Sequence, residues 1–124
     1  MDFLKFDKVV LDCPDPASLA DFYAKLLGWA KRYDTGDFVI IGSGTGGVDI
    51  GFQKNADYVN PVWPEAAGAQ QQMLHLDFAV PAVEYECWIR RAESYGAKKA
   101  APQESENWTV MLDPAGHPFC IEAI

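Results

Sequence analysis

The chain has 124 residues, 49% of them apolar, with 18 acidic side chains against 10 Lys plus Arg and a formal charge of -8. That length supports one domain with a real core and the composition excludes a disordered chain. The acidic balance argues against nucleic acid and against an anionic membrane as partners.

Residues around Phe6 to Cys13 alternate, with Val9, Leu11 and Cys13 on one face and Lys8, Val10 and Asp12 on the other, as a strand would. Asp15 is placed to cap a following helix, and Pro16 suits its first turn. Leu19, Phe22, Tyr23, Leu26 and Leu27 recur at helical spacing, and Gly28 ends the stripe. Asp37 to Ile41 reads as a strand, residues 43–47 as a glycine-rich hairpin turn, and Val48 to Gln53 as the partner strand. In that strand Asp49, Gly51 and Gln53 share a face. Gly44, Gly46 and Gly47 resemble a phosphate loop only superficially, since no helix and no lysine follow.

Asn55 to Gln72 is a long loop carrying Pro61-Val62-Trp63-Pro64, either a link or a cover over a site. A second strand–turn–helix unit then begins. Leu74, Leu76, Phe78 and Val80 form one strand face, and Met73, His75, Asp77 and Ala79 the other. Tyr85, Trp88, Ile89, Ala92 and Tyr95 make a helical stripe that Gly96 stops. Trp108 to Leu112 is a strand, Asp113-Pro114-Ala115-Gly116 has type I turn chemistry, and Phe119 to Ala123 is the last strand. The order is one unit written twice. Each helix stripe claims one sheet face. The opposite face, carrying Lys8, Asp12, Asp49, His75, Asp77, Cys120 and Glu122, is left to line a groove.

Cys13, Cys87 and Cys120 are odd in number and lack zinc-like spacing, which argues against a disulfide framework and for a reducing cytoplasm. The N-terminal run from Met1 to Lys5 is too acidic and too short in apolar length for a signal peptide, and no run approaches a membrane span.

These residues carry a resemblance. Asp15 with Leu19, Phe22-Tyr23 and Leu27-Gly28-Trp29, then His75-Leu76-Asp77, Gly96-Ala97 and Asp113 to Phe119, resemble in order and spacing the vicinal oxygen chelate superfamily. This is the glyoxalase, bleomycin-resistance and dioxygenase group, and the glyoxalase-like domain branch is the nearest. The resemblance implies an α+β fold of paired βαβββ modules, forming a curved mixed sheet around a cleft often completed by dimerisation. One glyoxalase-like domain would then hold module 1 over about 1–56, a linker over about 57–71 and module 2 over about 72–124.

Metal-dependent members place ligands on the first and last strands of each module, and by resemblance those four slots fall on Lys8, Asp49, His75 and Cys120. A protonated lysine is not a ligand. At about 5 Å it would repel a divalent ion by roughly 6–7 kcal/mol at an effective dielectric of about 20. Cys120 is a soft donor, better suited to zinc than to magnesium or manganese. No cofactor is therefore expected.

Two functions stay open. One is a bleomycin-resistance-like protein, a cytoplasmic homodimer that holds an apolar or cationic small molecule in an acidic cleft. Lys8, Asp12, Asp49, Trp63, His75, Asp77, Cys120 and Glu122 would contact the ligand, and His75 and Lys8 are the candidates for any catalysis. The other is a divalent-metal lyase, isomerase or dioxygenase-like enzyme using His75, Asp49 and Glu122 or Cys120. For each residue a plainer role competes. His75 is equally suited to bonding Asp77 or Asp49, and Lys8 to an ion pair with Asp49. His117 suits a turn, Cys120 an inert buried position, and Trp88 the core. Trp29, Trp63 and Trp108 are placed to wall a small-molecule pocket.

Overall fold

Asp15 starts the first helix: its Oδ1 accepts the Ser18 N–H at 3.3 Å, satisfying one of the donors a helix start leaves unpaired. Pro16 opens the first turn, and Gly28, at φ 68°, closes the helix with its N–H on the Ala24 carbonyl. In the computed structural model, which describes residues 3–124, strand β1 (Lys8–Cys13) leads into this helix, α1 (Pro16–Leu27). Strands β2 (Ala30–Asp34), β3 (Phe38–Gly42) and β4 (Asp49–Lys54) follow. The order then repeats as β5 (Leu76–Val80), a 3-10 turn over Ala82–Glu84, α2 (Tyr85–Ser94), β6 (Lys98–Lys99), β7 (Trp108–Leu112) and β8 (Pro118–Ala123).

The two halves are α+β modules with four-stranded mixed sheets of the same topology, β1-β4-β3-β2 and β5-β8-β7-β6. In each, the first strand lies parallel to the last, and the remaining pairs are antiparallel. The chain divides into two compact units, Met1–Tyr58 and Val59–Ile124. The long loop expected as a linker belongs to the second unit, where the Val62 N–H bonds the Gln70 carbonyl at 2.9 Å. Met1 and Asp2, the start of the acidic N-terminal run, lie outside the described residues. Among the described residues no helix is long and apolar enough to cross a membrane.

Each helix buries its stripe on its own sheet. In the first unit Leu19, Phe22 and Tyr23 pack with Val39, Ile41 and Phe52, and the Tyr23 and Phe52 rings stack at 5.7 Å. In the second, Tyr85, Ile89 and Ala92 are buried on the helix side, together with Met111, Phe119 and Ile121. Tyr85 and Thr109 exchange a hydrogen bond at 2.5 Å inside that core, the partner a buried phenol needs. Trp88 is only half-buried, with the Arg91 guanidinium 4.8 Å above its ring.

Two strands go beyond the sequence reading. All five residues of β2 are exposed, so no buried face imprints an alternation on Ala30–Asp34, and lysine and arginine on an edge strand guard against further pairing. β6 has two residues, too few to carry a period. At the other extreme, Phe119 is fully buried with its ring 5.8 Å from Phe78. Phe119→Ala is expected to lower the free energy of unfolding by about 3–5 kcal/mol and Asp15→Ala by about 1 kcal/mol. Urea denaturation followed by circular dichroism measures both, and equal losses would contradict this distribution of the core.

Candidate functional site

The parallel pairing of β5 with β8 sets Asp77 beside Cys120, and β7 sets Val110 on the other side of Cys120. His75 precedes β5 by one residue and, two positions before Asp77, projects from the same face. His75 Nε2 lies 3.2 Å from Asp77 Oδ1. One ligand atom from each of His75, Asp77 and Cys120 falls within 4.8 Å of the others. His75 and Asp77 are exposed and Cys120 is buried.

Burial pushes the Cys120 thiol up to about 11, helped by the negative charge of Asp77, a hydrogen bond to it, and the charge of Glu122. A nucleophilic cysteine needs the opposite environment. The neutral thiol is the form the fold favours. Its contribution to stability is complete below the free-thiol range and is lost as pH rises towards 11.

A cavity of about 470 Å³ opens on this face of the second unit. His75 and Cys120 form part of its lining, Trp63 and Trp108 wall it, and Glu65 and Glu104 bring carboxylates to it. No lysine or arginine lines it among the described residues. Trp63 is also packed against the buried cluster of Ala100, Val110 and Cys120, so the proline-flanked loop is held to the sheet by its tryptophan. Gln72, also in the lining, has its Oε1 enclosed without a hydrogen-bond partner.

A side chain that sequence reasoning missed holds the segment between two of the lining residues, Pro102 and Glu104. The Gln103 Nε2 donates to the Ala100 and Val110 carbonyls at 2.7 and 2.8 Å, and its Oε1 accepts the Val110 N–H at 3.0 Å. The amide thus stands in for a strand residue beside β7 and fixes the segment that delivers Pro102 and Glu104 to the cavity. Glutamine in an irregular segment carries no pattern that announces such a role.

The other expected site residues lie elsewhere. Glu122 shares the β8 face but stands outside the His75–Asp77–Cys120 group. In the first unit Lys8 is paired in register with Asp49, yet its ammonium makes an ion pair with Asp7 and none with Asp49. The expected Lys8–Asp49 ion pair is thus replaced by one between chain neighbours. Asp49 lies instead over Gly42, with the Arg32 stem beside it, in space a Cβ at Gly42 would occupy. Asp12 accepts a hydrogen bond from the Asn55 amide at 3.2 Å. His117 is structural: Nδ1 sits 2.8 Å from Asp113 Oδ2, and Asp113 Oδ1 accepts the N–H groups of Ala115 and His117 across the turn.

Strand register also sharpens which positions correspond. Counting back from Pro14 and Pro81, Lys8 matches His75 and Val10 matches Asp77. Pairing then sets Gly51 against Cys120. Asp49, which the resemblance put in Cys120's slot, lies two residues too early. A Cβ at Gly51 would meet Phe38, the Lys8 stem and Val10. Apolar packing in the first unit thus occupies the positions of the second unit's donors. The divalent ion that the resemblance implies would draw on Lys8, Asp49, His75 and Cys120. A paired ammonium and a soft thiol do not fit that set.

Solved structures share this fold. The chain is similar to a glyoxalase/bleomycin resistance protein/dioxygenase family enzyme from Burkholderia phytofirmans PsJN (21% identity, 98% of this chain and 99% of that one, TM-score 0.73). It is also similar to a possible glyoxalase from Bacillus cereus (13% identity, 98% and 100%, TM-score 0.71). A fosfomycin resistance protein from Mesorhizobium loti matches as well (10% identity, 100% and 93%, TM-score 0.68). No curated protein matches the sequence. The glyoxalase-like domain family matches residues 8–122, and the chain belongs to that family.

With burial pushing the Cys120 thiol up to about 11, iodoacetamide at pH 8.5 is expected to label it about a hundredfold more slowly than a free thiol. Asp77→Asn should raise the rate severalfold by removing the charge and leaving only a weaker, neutral acceptor. Peptide mass spectrometry over time measures this, and labelling of the native chain at the free-thiol rate would contradict it.

Proposed function

We propose that this protein binds a flat, positively charged small molecule in the second-unit cavity, without the superfamily's usual metal arrangement on Lys8, Asp49, His75 and Cys120. The observation that carries the reading is the combination of two tryptophan walls with carboxylates and no basic lysine or arginine in a cavity of about 470 Å³. That volume suits a drug-sized organic molecule. An indole face attracts a cation by about 0.5–2 kcal/mol, and Glu65 and Glu104 add an attraction that an anionic ligand would meet as repulsion.

His75 supplies a further polar contact in the cavity wall, with its Nε2 3.2 Å from Asp77 Oδ1. The raised thiol speaks against Cys120 as a nucleophile, so binding rather than covalent chemistry is the reading it supports. The formal charge of -8 draws cations towards the chain from a distance and weakens that pull as salt rises. Lys8, Asp12 and Asp49 are not among the residues that line this cavity.

Tryptophan fluorescence titration with planar aromatic cations, benzamidinium among them, and with benzenesulfonate as the anionic counterpart tests the reading. The cations are expected to bind and the anion not. Trp63→Ala and Trp108→Ala should each weaken cation binding about threefold to thirtyfold, with Trp88→Phe neutral. Equal binding of the sulfonate, or cation binding indifferent to both alanine variants, would sink the proposal.

A further inference from the structure

The second unit gathers three donors whose positions in the first unit hold none. Where His75, Asp77 and Cys120 stand, the matching residues are Lys8, Val10 and Gly51. The trio's ligand atoms lie within 4.8 Å of one another, and His75 Nε2 and Asp77 Oδ1 are already 3.2 Å apart. Around a tetrahedral zinc ion, with metal–ligand distances of about 2.0–2.3 Å, donor atoms are about 3.3–3.8 Å apart. Closing on an ion therefore asks for about 1 Å of adjustment, and His75 and Asp77, both exposed, have room to make it.

Backbone geometry fixes the rest. Asp77 and Cys120 are neighbours across a parallel strand pair, and His75 shares Asp77's face two residues earlier. We propose that His75, Asp77 and Cys120 form a soft-metal site contained within the second unit, taking zinc-like ions in preference to magnesium or manganese. Imidazole and thiolate are the ligands zinc prefers, and carboxylate completes a three-donor set. Cys120 gives its proton to solvent as it binds the ion. The fourth position faces the cavity that His75 and Cys120 line, and is left to water. Asp77 belongs to none of the four slots the superfamily uses, so the site replaces that arrangement rather than repeating it. It does not depend on the organic-cation reading, since the ion alone is the ligand.

Titration of the chelator-treated full chain with Co2+ tests the site by absorption. About one equivalent is expected to produce a near-ultraviolet thiolate-to-cobalt charge-transfer band with the visible bands of a tetrahedral ion. Zn2+ should bleach these bands, and Mg2+ and Mn2+ in large excess should not. C120S should abolish the charge-transfer band and C87S should leave it, while H75A and D77N should each weaken binding at least about tenfold. D49N should change nothing, and circular dichroism confirms that each variant is folded. Four outcomes overturn the proposal: no charge-transfer band, a band that survives in C120S, displacement by Mg2+ as readily as by Zn2+, or a loss in D49N equal to that in D77N. The last would mean a site that draws on both units.

Discussion

Everything chemical in this protein depends on one constraint: in each unit the first strand pairs parallel to the last. A parallel pair cannot be joined by a tight turn. It needs a crossover, and here the crossover is a helix and two strands. The pairing carries the chain's far end back to its near end, so that Asp77 meets Cys120 and Lys8 meets Asp49. Helix burial orients the result. With α1 and α2 covering one face of each sheet, the opposite face is released from packing and holds polar side chains.

The same scaffold then serves two unlike chemistries. In the second unit the free face carries imidazole, carboxylate and thiol beside two tryptophans. In the first it carries an ammonium paired to Asp7, with Val10 and Phe38 closing over Gly51. Duplication preserved the hydrogen-bond ladder, which tolerates any side chain, and left the face residues free to diverge. Membership in the glyoxalase-like family therefore accounts for the fold, while the second unit's own side chains set the chemistry of its cavity.

Much of the architecture was legible because burial imposes a period. Leu11 and Cys13 alternate with Val10 and Asp12, and the structure buries the first pair and exposes the second. Asp15, Gly28 and Asp113-Pro114-Ala115-Gly116 spoke through local backbone chemistry that needs no tertiary partner. Where no such imprint exists, reading failed. Exposed β2 has no buried face to imprint a pattern. Gln103 acts through a side-chain amide that mimics backbone, and Glu65 and Glu104 reach the cavity from irregular segments. Trp63 was legible as a wall because two prolines and an indole in a long loop have few other uses. Its anchoring against Ala100, Val110 and Cys120 was not.

The sequence by itself determined the repeat, the helices and their caps, the polar face of each sheet, and the mismatch between Lys8 and His75. These follow from the spacing of apolar residues and from turn chemistry, both local properties of a chain. The tertiary structure alone decided register and partners: that Gly51, not Asp49, answers to Cys120, that Lys8 turns to Asp7, and that Asp77 completes a group with His75 and Cys120. Those are distances between residues far apart in the chain, and only strand pairing sets them. A shift of two residues leaves the alternation unchanged while moving every side chain to a new neighbour.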